Sequence, residues 1–260
     1  MQNTMVASQM GILGEVMDPS NMARVEQTFA EIKAMGYNAA QLAYGSIPDK
    51  ELAGLLKKND IFLCSMHCDT KELIKDAQPV IDFAQSVGCH YIGVGGMFHE
   101  DWPWTEAGVD RFVKDTEKLA RQIKDAGLQF TYHNHSFEFM RFGNETMLDR
   151  LFNLTDPDAF WFEIDTYWVQ HGGADPAEWI RKFNGRMGTV HFKDMVYSAA
   201  QKGPYFTEVG NGNLNWPDII KACGETGIQW HIVEQDETER SSKLESAQMS
   251  INNLHKMGLR

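Results

Sequence analysis

Short apolar segments alternate along the chain with longer segments in which apolar residues recur every three or four positions. The first pattern is typical of buried strands and the second of amphipathic helices. In the first unit, an apolar run closed by Gly14 is followed by Pro19 and then by Val25, Phe29 and Ile32 at helical spacing. This order predicts a strand, a turn and a helix, and the same unit recurs to the end of the chain.

Eight segments have the strand pattern, and a helical segment follows each of them. The predicted strands are residues 4–13, 38–43, 61–67, 91–97, 127–131, 160–165, 188–193 and 230–233. In the third helical segment, Pro79 must either begin the regular helix or kink it. Continuous strand and helix alternation at this length favours one closed (β/α)8 TIM barrel over an open doubly wound sheet. No linker or composition shift divides the series, so we expect a single domain over residues 1–260.

Composition and charge exclude several classes of partner. Hydrophobic residues make up 43% of the chain, which is ordinary for a globular protein with a large core. The formal net charge of −12 argues against a nucleic-acid partner. No apolar run approaches the roughly 20 residues of a membrane span, and we find no signal-peptide pattern. The four cysteines lack zinc-type CxxC spacing, so we expect reduced thiols in a cytoplasmic protein.

Residues 132–139, with the sequence YHNHSFEF, carry two imidazoles and a carboxylate where the fifth strand ends. Alternate residues of a strand share a face, so His133 and His135 are expected to point the same way. Glu138 lies just beyond them in the following loop. Half-buried histidines are common, and this segment gains significance only because similar polar residues end several other strands.

The strand ends of a TIM barrel and the loops after them build its active site. Polar side chains at predicted strand ends are His67, His133, His135, Asp165, His191, Lys193 and Glu234. Buried carboxylates such as Asp165 and Glu234 are costly unless a cation offsets their charge. Carboxylates with an imidazole suit Mn²⁺, Mg²⁺, Co²⁺ or Zn²⁺. Because Asp165 is at the strand tip, it is the better ligand, and Glu163 is expected to make a deeper polar contact.

These residues resemble the xylose isomerase-like barrel superfamily of sugar isomerases and epimerases, which includes tagatose-type epimerases, hydroxypyruvate isomerase and inosose dehydratase. The segments that carry the resemblance are YHNH with Glu138-Phe139, Glu163-Ile164-Asp165, His191-Phe192-Lys193-Asp194, the loop at 209–216 and Val233-Glu234. They span strands five to eight. The first half of the chain resembles the superfamily mainly in its alternation of predicted strands and helices. Together they are specific for the superfamily and not for any one substrate.

The resemblance implies a divalent metal held by a Glu, an Asp, a His and a second Glu from strands five to eight. Asp165, His191 and Glu234 map onto the last three positions. The first position departs from the pattern, because the chain has His133-Asn134-His135 where epimerases carry a glutamate. We expect Glu138 to reach the metal while one histidine acts as a base or contacts substrate. A strand-five histidine as the ligand remains the alternative, and manganese is the expected metal, with magnesium, cobalt or zinc as alternatives.

The resemblance also implies roles in proton transfer. A chelating cation acidifies the C–H beside a sugar carbonyl, and a base then moves the proton. His133 or His135 suits the base role because an imidazole titrates near neutrality. Lys193 is predicted to bind a substrate hydroxyl or the enediolate, unless it pairs with Asp194. Glu234 is predicted to take part in catalysis as well as in metal binding.

Weaker signals concern substrate contacts. His67, Trp104 and Glu208 are candidate substrate-binding residues together with Lys193. Further aromatic side chains near the strand ends would supply apolar walls for a sugar; they are Phe98, Trp102 and Trp168.

The leading hypothesis is a metal-dependent isomerase or epimerase of a sugar or keto-sugar. The nearest rival is a metal-dependent lyase that dehydrates a keto-inositol or eliminates from a 3-keto-glycoside. A nuclease on the same barrel is disfavoured by the acidic charge, and a non-catalytic carbohydrate-binding barrel is a remote alternative. Association into a homo-oligomer is left open.

Overall fold

Eight parallel strands close into a barrel in the computed structural model, which describes residues 5–239 and 241–259. Each strand pairs with the next along the chain, and the eighth pairs with the first. The strands are β1 Met5–Gln9, β2 Ala39–Ala43, β3 Phe62–Cys68, β4 Tyr91–Val94, β5 Gln129–His133, β6 Phe160–Asp165, β7 Met187–Phe192 and β8 Trp230–Val233. The (β/α)8 prediction is confirmed.

Ten α-helices lie between and after these strands within the described residues. They are α1 Met22–Met35, α2 Asp49–Asn59, α3 Thr70–Lys75, α4 Gln78–Val87, α5 Glu106–Asp125, α6 Met147–Leu154, α7 Thr166–His171, α8 Pro176–Lys182, α9 Trp216–Thr226 and α10 Lys243–Lys256. Pro79 lies in the first turn of α4, where a missing N–H costs nothing, so it begins the helix and does not kink it.

Helix α5 shows how the sequence dictates these elements. Its apolar residues are spaced three and four apart, so they form one buried face; they include Val109, Phe112, Leu119 and Ile123. Each such side chain contributes about 1.5–3 kcal/mol when it is buried against the barrel. The Thr105 side chain accepts a hydrogen bond from the Gly108 N–H and so caps the helix. A Cβ atom at Gly108 would overlap the carbonyl oxygen of Pro103, so this close approach requires glycine.

The barrel interior becomes more polar towards the carboxyl ends of the strands. The odd-numbered strands β3, β5 and β7 each place a hydroxyl residue two positions before an imidazole, and residues two apart share a face. The buried hydroxyl residues are Ser65, Thr131 and Thr189, and the imidazoles are His67, His133 and His191. The imidazoles therefore converge at the C-terminal end of the barrel, which we call the mouth.

Two antiparallel hairpins extend from the mouth. Arg141–Phe142 pairs with Glu145–Thr146 after β5, and Asp194–Ser198 pairs with Gly203–Thr207 after β7. The second hairpin folds back onto α7, because Phe206 stacks on Tyr167 with ring centroids 4.4 Å apart. It therefore forms one wall of the mouth.

The first and fourth strands are shorter than their apolar runs predict. β1 ends at Gln9 and a 3-10 helix follows at Gly11–Met17, while Thr4, the predicted start, lies outside the described residues. Met10 and Leu13 are buried in the core although they are not in a strand, so hydrophobicity at these positions reflects packing and not pairing. In the same way, β4 ends at Val94 and not at residue 97.

Two further sequence predictions concern membrane-spanning segments and the state of the cysteines. No helix in the described part of the chain combines the length and the apolar character needed to cross a membrane. All four cysteines are free thiols.

Candidate functional site

Four side chains converge at the mouth: His133, Asp165, His191 and Glu234. His133 and Asp165 end β5 and β6, His191 is the penultimate residue of β7, and Glu234 directly follows β8. Each offers a ligand atom, and these atoms all lie within 4.8 Å of one another. All four residues are buried. We call them the four-residue cluster.

Asp165 is oriented by backbone contacts on both sides. Its Oδ1 accepts a hydrogen bond from the Trp168 N–H at 3.0 Å, which caps α7. Its own N–H donates to the side-chain oxygen of Asn134, at 3.0 Å. Oδ2 is thereby left to face the cluster, where His133 Nε2 lies 3.3 Å away. Although burial opposes ionisation, the Lys193 ammonium holds the pKa of Asp165 below its ordinary value.

His191 is fixed by two acceptors on one side of its ring. Its Nε2 lies 2.7 Å from Gln41 Oε1 and 3.0 Å from Glu163 Oε2. Both oxygens can only accept, so Nε2 carries the proton and Nδ1 is the atom that faces the cluster. Nδ1 lies 2.7 Å from Glu234 Oε2. Burial alone would lower the pKa of His191, but Glu163 and Glu234 hold it well above the ordinary value.

Glu163 lies one layer deeper than the cluster and is fully buried. Its Oε2 lies 2.6 Å from His67 Nε2, and the Gln41 amide donates to both of its oxygens. Although burial opposes ionisation, His191 and His67 hold the pKa of Glu163 well below its ordinary value. Glu163 thus ties His67 to His191.

Lys193 is 1% exposed and lies among three carboxylates. Its Nζ is 2.6 Å from Glu234 Oε2, 3.0 Å from Asp165 Oδ2 and 3.2 Å from Asp236 Oδ2. Burial alone would lower the pKa of Lys193, but these carboxylates raise it. The ammonium is therefore a permanent charge at the mouth.

The alternative partner of Lys193, Asp194, faces away from it. The Asp194 carboxylate accepts hydrogen bonds from five donors in its own segment and in the loop after the hairpin. The donors are the N–H groups of Met195, Gly210, Gly212 and Leu214 and the indole N–H of Trp216. No Lys193–Asp194 ion pair forms among the residues that the structure describes.

The structure does not bring Glu138 to the cluster. Glu138 Oε1 accepts from the Tyr132 hydroxyl and Oε2 from the His135 N–H, both at 2.8 Å. Because His133 faces the barrel interior, its neighbour Tyr132 faces outwards, and Glu138 lies with Tyr132. Burial raises the pKa of Glu138 to about 8. His133 occupies the cluster instead, which is the alternative that the sequence left open.

The second strand-five histidine lies at the edge of the cluster. The His135 ring centroid is 4.9 Å from that of His133, and the ring stacks on Phe137. The candidate substrate-binding residue Trp104 also stacks on Phe137, with ring centroids 4.2 Å apart. Trp168 lies 5.3 Å from His135 and completes an aromatic wall. His67 also adjoins the cluster, with its ring centroid 5.5 Å from those of His133 and His191.

Glu208 is not brought to the cluster. Its Oε1 accepts hydrogen bonds from the hydroxyls of Ser241 and Ser246, at 3.2 and 2.9 Å, at the beginning of α10. Its Oε2 accepts from the Asn211 amide. These contacts connect the loop after the hairpin to α10.

The sequence analysis missed two residues that contact the candidate site: Gln41, which hydrogen-bonds to His191, and Asp236, which pairs with Lys193. Gln41 is a polar residue inside the apolar strand β2, the same signal that identified Glu163, so it could have been found. Asp236 lies in a polar loop after β8, where nothing in the sequence distinguishes it from its neighbours.

The four-residue cluster fits a divalent cation. Two ionised carboxylates and two imidazoles offer ligand atoms within 4.8 Å of one another, and the Lys193 ammonium balances only part of the carboxylate charge. Oxygen and nitrogen donors of this kind suit Mg²⁺, Mn²⁺, Co²⁺ or Zn²⁺. Within the described ranges, a second group of ligand atoms comprises His67, Glu163 and His191, and it shares His191 with the cluster.

This chain resembles several other proteins in sequence and in structure. Inosose dehydratase from Lacticaseibacillus casei is 28% identical over 184 residues, which cover 60% of each protein. The chain thus matches less than two thirds of that relative. A sugar phosphate isomerase/epimerase from Parabacteroides distasonis superposes with a TM-score of 0.81 at 20% identity, covering 97% of this chain and 98% of that one. A barrel protein from Mycobacterium smegmatis, solved in complex with magnesium, gives 0.70 at 14% identity, covering 98% and 97%. At these identities the structural likeness shows the fold alone.

A family model described as xylose isomerase-like TIM barrel matches residues 29–254. The match includes strands β2 to β8 and therefore all four members of the cluster. The resemblance predicted from the strand-end residues is confirmed. This chain belongs to the xylose isomerase-like TIM barrel family.

Proposed function

We propose that the protein is a divalent-metal-dependent isomerase or epimerase of a sugar or keto-sugar. The observation that carries the proposal is the four-residue cluster, in which two carboxylates and two imidazoles meet at the carboxyl ends of β5 to β8. Active sites of TIM barrels lie at this end. The names of the similar proteins, which include an isomerase/epimerase and a dehydratase of a keto-inositol, support a sugar-like substrate.

Asp165, His191, Glu234 and His133 would hold the metal, and manganese is our expected ion. When bound, such a cation polarises the substrate carbonyl and favours loss of a proton from the neighbouring carbon. Gln41 and Glu163 keep His191 in the orientation and tautomer that point Nδ1 at the site. Glu138 would have to leave Tyr132 and His135 before it could act as a ligand, so we favour His133.

Two imidazoles remain for the substrate. We assign proton transfer to His135, which adjoins His133 at the edge of the cluster; burial lowers its pKa to about 3, well below the near-neutral value expected from the sequence, so its imidazole is neutral and free to accept a proton. We assign a substrate contact to His67, because its Nε2 is fixed on Glu163 and Nδ1 has no partner among the described residues. Lys193 is placed to donate to a substrate oxygen and to stabilise the enediolate. The wall of His135, Phe137 and Trp168 offers apolar faces to the C–H groups of a sugar.

Solvent isotope exchange tests the reaction. The protein is incubated with Mn²⁺ and a panel of ketoses and 3-keto-glycosides in D2O, and products are followed by NMR and mass spectrometry. We expect deuterium at the carbon beside the carbonyl without loss of water or of an aglycone. His135→Gln should slow this exchange far more than it weakens substrate binding.

Metal content tests the site independently of any substrate. Asp165→Asn and His191→Ala should purify with much less divalent metal than the wild type, whereas Asp158→Asn, an exposed change of the same chemical kind, should not. Equal metal content in all four proteins would show that the proposed site is wrong.

A lyase is the second candidate, and the inosose dehydratase relative favours it. The same proton abstraction followed by loss of a β-hydroxyl or β-alkoxyl group gives elimination. The site has imidazoles beyond those that the metal needs, His67 and His135, and one of them can protonate a leaving group. Loss of water or of an aglycone in the D2O experiment would select this alternative.

A further inference from the structure

The Lys193 ammonium contacts the same two oxygens that a metal at the proposed site would use. Asp165 Oδ2 and Glu234 Oε2 each contact Nζ, at 3.0 and 2.6 Å, and each also contacts an imidazole of the cluster. An ammonium and a divalent cation repel each other, so they compete for these oxygens. The site therefore already contains a cation of its own.

Asp236 gives the ammonium a third partner outside the cluster. Its Oδ2 lies 3.2 Å from Nζ, and its side chain is 34% exposed, compared with 0% for Asp165 and 9% for Glu234. Among the described residues, Asp236 is not part of either group of potential metal ligands. It can therefore bind Lys193 without binding the metal.

The surroundings of Lys193 limit where its side chain can go. The Thr166 hydroxyl hydrogen-bonds to both the N–H and the carbonyl of Lys193, so the backbone is fixed. The rings of Trp168 and Phe206 lie 5.5 and 5.8 Å from Nζ and close off the side of α7 and the hairpin. The four-carbon stem can still change rotamer, and Asp236 is an acceptor that already contacts Nζ and lies outside the cluster.

We propose that Lys193 neutralises the ligand carboxylates while the site is without metal and that Asp236 holds its ammonium once a metal is bound. Asp236 is then a positioning residue that sets metal affinity through Lys193. This inference rests on the metal site proposed above. It gives Lys193 two positions, one that stabilises the metal-free protein and one that presents an ammonium beside the metal-loaded site.

A double-variant cycle on the full chain tests the coupling. Lys193→Met, Asp236→Asn and the double variant are stripped with a chelator, and their Mn²⁺ dissociation constants are measured by competition with a fluorescent indicator. Lys193→Met should bind Mn²⁺ about tenfold more tightly, because the competing cation is gone. Asp236→Asn should bind about tenfold more weakly, because the ammonium stays on the ligands. The double variant should match Lys193→Met.

A second readout follows the metal-free protein. Lys193→Met should have a lower melting temperature than the wild type after chelation, and excess Mn²⁺ should restore most of the difference. If Lys193→Met does not fold, Lys193→Gln replaces it, with circular dichroism as the check. Glu237→Gln removes the same charge from an exposed position in the same loop and should leave Mn²⁺ affinity unchanged.

The outcomes separate this inference from the site on which it rests. If Asp236→Asn has no effect, or weakens binding equally with and without Lys193, the inference is overturned while the metal site stands. If Asp165→Asn, measured alongside, binds Mn²⁺ as tightly as the wild type, the proposed function itself fails.

Discussion

Glu138 and Glu163 are both fully buried, yet they lie in chemically opposite surroundings. Glu138 bonds to neutral donors, the Tyr132 hydroxyl and the His135 N–H, and burial raises its pKa to about 8. Although burial also opposes the ionisation of Glu163, His191 and His67 hold its pKa well below the ordinary value. Burial therefore does not decide alone whether a carboxylate in this protein is charged.

This difference in charge state corresponds to two structural roles at the carboxyl ends of β5 and β6. The neutral region around Glu138 fixes the loop that follows β5. The charged region around Glu163 orients His191, a member of the cluster, and connects it to His67. Three substitutions test this division, and a fourth, at Glu208, tests a residue outside both regions; we give them in order of decreasing expected effect.

Glu163→Gln should destabilise the protein by about 3–5 kcal/mol, because removing one partner of a buried charged network leaves the others uncompensated. The variant should also lose metal affinity, since the charged one of the two acceptors that orient His191 is gone. Urea unfolding and Mn²⁺ titration provide the measurements. A loss below about 1 kcal/mol would mean that the charge of Glu163 is not needed in the fold.

Tyr132→Phe should destabilise by about 1–3 kcal/mol, because Glu138 loses a donor and the Met97 N–H loses its acceptor inside the protein. Metal content should stay at the wild-type value, since neither partner belongs to the cluster. Reduced metal content with normal stability would indicate that Glu138 contacts the metal after all.

Glu138→Gln should change how stability depends on pH. The pKa of Glu138 is raised from 4.5 to about 8, so the folded protein keeps a proton that the unfolded chain releases in this window. Stability should therefore decline as pH rises through the window, by up to about 1.4 kcal/mol per pH unit from this group. The variant should show a shallower decline when unfolding free energies are measured across the same range. An unchanged slope would contradict the assignment of a neutral Glu138.

Glu208→Gln should have the smallest effect, below about 1 kcal/mol, because its hydrogen bonds to Ser241 and Ser246 are only partly buried. The KM for a turned-over sugar should not change. An increase in KM at unchanged stability would instead support the substrate contact that the sequence predicted for Glu208.

The fold could be predicted because each strand and helix carries its own local pattern. Eight apolar runs and the helical spacing between them were enough to identify the barrel. The predicted strand ends were less accurate where the core continues into a loop, as at Met10 and Leu13. A buried loop residue and a paired strand residue both appear in the sequence as apolar positions.

The candidate site could be predicted as far as strand position decides it. Asp165, His191 and Glu234 come directly from strand ends, and the structure brings them together. Glu138 depends on how a short 3-10 turn folds the chain back, and Glu208 depends on contacts with a helix more than thirty residues away. Such contacts leave no local pattern, so the role of Glu138 was inferred from the family resemblance and that of Glu208 from its residue type.

The five donors on the Asp194 carboxylate have a consequence for the entropy of substrate binding. Four of the five belong to residues 210–216, and they tie this loop to Asp194, the residue after Lys193. Ordering a mobile residue costs about 1–2 kcal/mol at room temperature, and a loop that closes only over its substrate meets that cost in every binding event. Here residues 210–216 are ordered in the folded protein, so a ligand that contacts them would not meet that cost, and more of its contact energy would remain available for affinity.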